Sequence, residues 1–163
     1  MVFEYLDNNL LEVLEKNQKG LNNRTIAKYI YQVLEGLNYM HSLGYIHRDI
    51  KPENLLVSTS GTVKICDMGF ARLADPLMTD YVATRWYRPP ELLVGADYGS
   101  PIDIWAVGCI LCELTDTQPL FPGSDEIDQL GQILKGFGPL PDSLKTILDN
   151  NKHLKGFICP KKQ

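Results

Sequence analysis

The stretch Tyr45-Ile46-His47-Arg48-Asp49-Ile50-Lys51-Pro52-Glu53-Asn54 decides how the rest of this chain is read. It places Asp, Lys and Asn in one short segment, followed by the apolar run Leu55-Leu56-Val57. A second apolar run, Val63-Lys64-Ile65-Cys66, leads into Asp67-Met68-Gly69, and Ser60-Gly61 lies between the two runs. The pattern predicts two short strands joined by a turn at Ser60-Gly61, holding polar loops at their ends. Asp49, Asn54 and Asp67 would then converge. Oxygen donors of this kind suit Mg²⁺, which takes one or two carboxylates together with substrate phosphates. A carboxylate left free of metal can orient a hydroxyl and accept its proton.

With 163 residues, 44% of them apolar, the chain fits one domain with a substantial core. A net charge of −4 leaves no basic footprint, so nucleic acid is not expected as a main partner. No run approaches the roughly eighteen unbroken apolar residues of a membrane span, and the start does not read as a signal peptide. A soluble protein of the cytoplasm and/or nucleus, without a membrane partner, is the expectation. Cys66, Cys109, Cys112 and Cys159 include one C-x-x-C, Cys109 to Cys112, which opens a metal or redox reading. It sits inside an apolar run from Ile104, and no second ligand pair accompanies it. A zinc site normally takes four ligands, so these cysteines read as small hydrophobes on a buried helix.

Outward from the central stretch, Met1-Val2-Phe3-Glu4-Tyr5-Leu6 has an apolar, strand-like pattern that Asp7-Asn8-Asn9 breaks. Leu10, Leu11 and Leu14 predict a short helix ending near Gly20. Asn22 or Asn23 can cap the next helix, whose Ile26, Ile30, Val33, Leu37 and Met40 recur at helical spacing up to a stop at Gly44. His41 near its end is expected to serve the surface or the helix dipole. Ser100-Pro101-Ile102-Asp103 reads as a capped helix start, opening a helix apolar on nearly every face and therefore buried. Asp103 is costly there unless paired. Gln118 to Gly123 forms a turn-rich connector, and Ile127, Leu130, Ile133 and Leu134 predict a helix over 124–135. One more helix is expected near 144–148, and the rest thins into a polar tail.

The order His47-Arg48-Asp49, Lys51, Asn54, then Asp67-Met68-Gly69, Arg88-Pro89-Pro90-Glu91 and Asp103-Ile104-Trp105 resembles the motif series of eukaryotic protein kinases. Ala83-Thr84-Arg85-Trp86-Tyr87-Arg88 and Pro119-Leu120-Phe121-Pro122-Gly123-Ser124-Asp125-Glu126-Ile127-Asp128-Gln129-Leu130 look like the cyclin-dependent and mitogen-activated group. Thr79-Asp80-Tyr81 matches the mitogen-activated Thr-x-Tyr pattern, and the combination most resembles the cyclin-dependent-kinase-like family. The likeness implies a mainly helical large lobe in which a short β-hairpin carries the catalytic and metal loops, with the small lobe missing. Its parts would be a hinge over 1–9, a catalytic loop over 45–57, a metal loop and activation segment over 67–91, a core helix over 100–117, later helices over 124–150 and a tail over 151–163.

The resemblance also assigns roles. ATP and Mg²⁺ would be the cofactors, with Phe3 as gatekeeper, the backbone of Glu4 and Leu6 pairing adenine, and Leu56 beneath it. Asp49 would orient and deprotonate the substrate hydroxyl, Lys51 contact the transferring phosphate, Thr84 bridge the two, and Asn54 and Asp67 hold the metal. Thr79 and Tyr81 would be regulatory phosphorylation sites, meeting Arg48 and Arg85 with Arg88 respectively; Arg88 would also satisfy the Val82 carbonyl. His47 would anchor the loop, Glu91 close the activation segment, and Asp103 accept from backbone N–H groups of the catalytic loop. Met68 replaces the usual Phe of the metal loop, a more flexible apolar side chain. No Gly-rich phosphate loop, strand lysine or partner glutamate precedes Met1, and the arginine that would pair Glu91 is absent. Two functions follow as expectations: a Ser/Thr protein kinase, acting on protein substrates and inactive as this piece alone, or a non-catalytic kinase-like binding module or decoy. An upstream activating kinase is compatible with the first, and a cyclin-like partner is left open.

Overall fold

The computed structural model of the chain describes residues 2–74, 84–154 and 157. In order, the elements are β1 (Asn8–Asn9), α1 (Leu10–Lys16), α2 (Asn23–Ser42), β2 (Tyr45–Ile46), β3 (Leu55–Val57), β4 (Val63–Ile65), β5 (Arg72–Leu73), α3 (Pro90–Val94), α4 (Pro101–Asp116), α5 (Glu126–Phe137) and α6 (Asp142–Asn150). The architecture is mainly helical. Strands β1, β3 and β4 form one small antiparallel sheet, and β2 pairs with β5 in another. The hairpin expected from Leu55-Leu56-Val57 and Val63-Lys64-Ile65 is β3–β4, closed by Ser58 N–H to Thr62 O and Gly61 N–H to Ser58 O. Among the described residues no helix is long and apolar enough to cross a membrane.

Local chemistry explains most of the helix starts. Asn9 and Glu12 form a reciprocal capping box on α1, each side chain accepting from the other's backbone N–H. Asn22 accepts from Thr25 N–H at the start of α2, and Asp125 accepts from Asp128 N–H at the start of α5. The α2 stripe is inward-facing: Ile26, Val33 and Leu37 are buried against a core shared with Leu55, Val57, Ile110, Leu114, Leu130 and Ile133. Trp105, Phe121 and Phe137 pack their rings together between α4 and α5, with centroids 5.5–6.3 Å apart.

Five expectations need correction. The strand-like pattern before Asp7 does not form a strand: Val2–Leu6 has no ladder partner among the described residues, Val2, Phe3 and Tyr5 are exposed, and pairing begins only where Asn8 and Asn9 meet β3. Cross-strand partners, not local propensity, decide such a segment. Helix α1 stops at Lys16, where Asn17 turns back onto Leu14, well before Gly20. Ser100 occupies the cap position of α4 but its side chain makes no capping bond, since its backbone is already helical. One face of α4 is open: Ile104, Leu111 and Cys112 are exposed, while Ile102, Asp103, Ala106, Val107, Cys109, Ile110, Glu113 and Leu114 are buried. Finally, the end is not wholly a polar tail, because Leu154 is buried and Phe157 packs against the core.

Gly20 shows how tightly the α1–α2 connection is seated. Its φ is +79°, and a Cβ there would stand 1.9 Å from the carbonyl oxygen of Thr115 near the end of α4. Leu21 N–H donates to Leu114 O beside it. Gly20→Ala combines left-handed strain with a backbone clash, so it should destabilise the chain by about 2 kcal/mol or more. Urea denaturation measures this, and an unchanged midpoint would show that the connection is not held against α4.

Candidate active site

The site rests on a carboxylate buried in the first turn of a helix. Asp103, at 1% exposure, accepts from His47 N–H through Oδ2 (2.9 Å), from Arg48 N–H through Oδ1 (2.9 Å) and from His41 Nε2 through Oδ2 (2.8 Å). A carboxylate taking several N–H bonds offsets much of its desolvation. The bonds arrive where the backbone is strained: Arg48 has φ +70°, a left-handed conformation that costs a non-glycine residue about 1–2 kcal/mol. His47 is fully buried and bonds at both nitrogens, Nε2 donating to Cys66 O (2.9 Å) and Nδ1 accepting from Asp49 N–H (3.2 Å). It thereby ties the turn after β2 to the end of β4.

Asp49 follows directly, 4% exposed, and both its oxygens are engaged. Oδ1 accepts from Thr84 N–H (3.1 Å) and Thr84 Oγ1 (3.0 Å). Oδ2 accepts from Asn54 Nδ2 (3.1 Å) and pairs with Lys51 Nζ (2.9 Å). Lys51 Nζ also donates to Thr84 Oγ1 (3.2 Å), and Asn54 Nδ2 to Asp49 O (2.8 Å). Three residues named from sequence, Thr84, Asn54 and Lys51, therefore meet at the carboxylate of a fourth, Asp49. Asp67 lies at the other loop, exposed, with φ +61°, and its Oδ1 accepts from Gly69 N–H (3.1 Å). The donor set fits Mg²⁺: Asn54 spends its Nδ2 on Asp49 and keeps its carbonyl oxygen, and Asp67 keeps a carboxylate oxygen beyond the bond to Gly69. Among the described residues no cluster of His, Cys, Asp and Glu forms a separate metal site.

The remaining candidates spread outward. Phe3 is exposed, Leu6 and Leu56 are half-buried, and Glu4 pairs with Lys64 of β4 at the surface. Arg48 is buried, with Nε donating to Phe70 O (2.6 Å) and Nη1 to Tyr98 Oη (2.9 Å), both neutral acceptors. Arg85 donates to Ser124 O (2.8 Å) and the buried Arg88 pairs with Glu126 (2.7 Å), so the 84–88 segment is tied to the turn before α5 and to α5 itself. Thr79, Tyr81 and Val82 lie outside the described residues. Burial pushes the Glu91 carboxyl upward.

Three features escaped sequence reasoning. His41, expected at the surface or on the helix dipole, instead holds Asp103, 62 residues away. Tyr87 Oη donates to the buried Glu113 (2.7 Å). Gln129, fully buried, accepts from Gly123 N–H (3.0 Å) and donates to Trp86 O (3.4 Å). The spacing of apolar positions on α5 could have placed Gln129 on the inward face, but nothing local signalled Glu113 or the partners of either.

A family model described as the protein kinase domain matches residues 1–158. The chain belongs to the protein kinase family. It is 49% identical to cyclin-dependent kinase-like 5 of Mus musculus over 98% of this chain and 18% of that protein. Cyclin-dependent kinase-like 4 of Mus musculus is 48% identical over 98% of this chain and 48% of that protein. For cyclin-dependent kinase-like 2 of Homo sapiens the values are 48%, 98% and 33%. The chain thus spans less than half the length of these relatives. What it holds of the kinase fold is the helical large lobe with its β3–β4 hairpin; a small lobe is absent from the described residues.

Within this kinase lobe the Tyr87–Glu113 pair titrates unusually. Burial raises the Glu113 carboxyl above its ordinary value of 4.5, the Tyr87 hydrogen bond opposes this, and Glu53 and Asp116 add to it. Burial, with Glu113 beside it, also pushes the Tyr87 hydroxyl up. A raised folded-state value means the stabilising contribution is complete below about pH 4.5 and is lost as pH climbs through the raised value. Stability should therefore decline with pH over that window, less steeply in Glu113→Gln and least in the Glu91→Gln/Glu113→Gln double variant. Thermal melts across pH check this, and equal slopes in all three proteins would contradict it.

Proposed function

We propose that this chain is the catalytic large lobe of a protein serine/threonine kinase that moves the γ-phosphate of ATP to a Ser or Thr hydroxyl of a protein substrate. The observation that supports it most is the Asp49 carboxylate held by Thr84, Asn54 and Lys51. All four strong acceptor positions of that carboxylate are engaged, so a substrate hydroxyl reaches Oδ2 by displacing a donor. Lys51 is a long, flexible side chain, 23% exposed. Its swing toward the transferring phosphate would open Oδ2 to the hydroxyl and bring a cation to the developing charge. Asp49 then orients the hydroxyl and takes its proton. Asn54 and Asp67 would hold Mg²⁺, which supplies charge neutralisation at the phosphates when bound. The backbone of Glu4 and Leu6, beside Phe3 and above Leu56, would receive adenine.

Regulation by phosphate on Thr79 and Tyr81 belongs to the same reading. Arg48 supports it, since a buried guanidinium with only neutral acceptors among the described residues gains from a nearby anion. For Tyr81 the support is weaker, because phosphate would compete with Glu126 for Arg88. Proline or a small residue is proposed after the target Ser/Thr, with Arg88 turned toward Val82.

Positioning dominates phosphoryl transfer, so the chain alone is expected to transfer no phosphate at a useful rate. The test joins it to the small lobe of a cyclin-dependent-kinase-like relative and assays both forms with Mg-ATP and a generic basic protein. The joined form should be active and lose at least about 100-fold in kcat on Asp49→Asn. Undiminished turnover in that variant would refute the role of Asp49. A joined form that folds, binds ATP and stays inert would favour a kinase-like binding module instead.

A further inference from the structure

We infer that Gln129 is a positioning residue for the Asp49 carboxylate, acting through the main chain of Trp86 and through Thr84. The carbonyl of Trp86 has no donor in its own stretch of chain. The residues three and four positions on are Pro89 and Pro90, and neither carries an N–H. Gln129, fully buried in the first turn of α5, supplies one: its Nε2 donates to Trp86 O (3.4 Å). Two further bonds close a ring. Gly123 N–H donates to Gln129 Oε1 (3.0 Å), and Trp86 Nε1 donates to Gly123 O (3.2 Å). A Cβ on Gly123 would stand 2.5–2.7 Å from the Oε1, Cα and Cβ atoms of Gln129, so only glycine lets the connector come this close. Gly123 N–H also reaches Phe121 O (3.0 Å), which leaves the bond to Trp86 O as the limb that rests on Gln129 itself.

The turn held in this way is a short unit with its own internal bonds. Tyr87 N–H donates to Thr84 O (2.9 Å) and Arg88 N–H to Arg85 O (3.0 Å). At its head, Thr84 grips Asp49 Oδ1 with its N–H (3.1 Å) and its Oγ1 (3.0 Å). The unit is thus fastened to Asp49 at one end and to α5 at the other. If Trp86 O loses its donor, the turn shifts to find another, and Thr84 moves with it. Arg85 and Arg88 tie the same segment by their side chains, whereas Gln129 takes hold of the main chain. In this way α5 acts on the geometry of Asp49 without touching it. The catalytic consequence rests on the reading of Asp49 given above, but the positional claim does not.

Hydrogen exchange on the intact chain separates the two. Gln129→Met keeps nearly the same length and volume and removes both bonds of the amide. In that variant the Thr84 amide and the Trp86 indole N–H should exchange at least about fivefold faster, on the scale of leaving a buried carbonyl unpaired. The helical amides of Leu37, Ile110 and Ile133 should keep their rates. Unchanged exchange at Thr84 would overturn the inference. So would a uniform acceleration that includes Ile133, which marks a merely structural role in α5. Should Gln129→Met fail to fold, Trp86→Phe decides, because that side chain is 41% exposed and its loss opens the same ring at Gly123 O. A faster Thr84 amide with Ile133 unchanged upholds the inference, and an unchanged Thr84 amide overturns it.

Discussion

One buried carboxylate governs the layout of this kinase lobe. Asp103 enters the core at the third residue of its helix, close to the positive end of the helix dipole, and accepts only N–H donors. Among the described residues neither oxygen is given to a lysine or arginine side chain. Its charge is instead spent on holding two consecutive backbone amides that no strand or helix satisfies. Without those bonds, Arg48 would have little reason to remain left-handed. Because Asp49 follows Arg48 directly, the direction of its carboxylate depends on a residue that makes no contact with it.

Around that anchor the polar groups form a closed set. His47 bridges to Cys66 at the end of the hairpin, Asn54 folds back onto Asp49, and Thr84 reaches in from just before the Arg85–Tyr87 turn. Such networks are stabilising only when each member finds a partner, since a half-satisfied buried group costs more than an apolar one. The hairpin β3–β4 supplies the rigidity, through the Leu55↔Ile65, Leu56↔Lys64 and Val57↔Val63 pairs. On the far side, Arg85, Trp86, Arg88 and Gln129 fasten the segment after Thr84 to α5 and the turn before it. Arg85, which the resemblance assigned to phosphate, and Arg88, assigned to phosphate and to the Val82 carbonyl, both serve this seam.

The legible parts of the sequence were those with local causes. The hairpin followed from two apolar runs around Ser60-Gly61, α2 from its stripe and Asn22, and the kinase likeness from ordered motifs that a 1–158 match supports. Val2–Leu6 misled because a strand exists only with a neighbour to pair. On α4 the apolar composition hid which face would be covered, since periodicity is uninformative when nearly every position is apolar. His41 misled for a related reason: its partner lies 62 residues away. Polar contacts between residues far apart in sequence leave no periodic trace, so Tyr87 with Glu113, 26 residues apart, and Gln129 with Trp86, 43 apart, were equally silent.

The account depends most directly on the acceptor character of Asp103, and a crystal structure of the Asp103→Asn variant tests it. Asparagine keeps the shape but must turn an NH₂ toward at least one of the three donors, setting donor against donor. The account predicts that Arg48 leaves the left-handed region and that the bonds from Thr84 to Asp49 open. An Asp103→Asn structure with Arg48 still near φ +70° and Asp49 still bonded to Thr84 would contradict it.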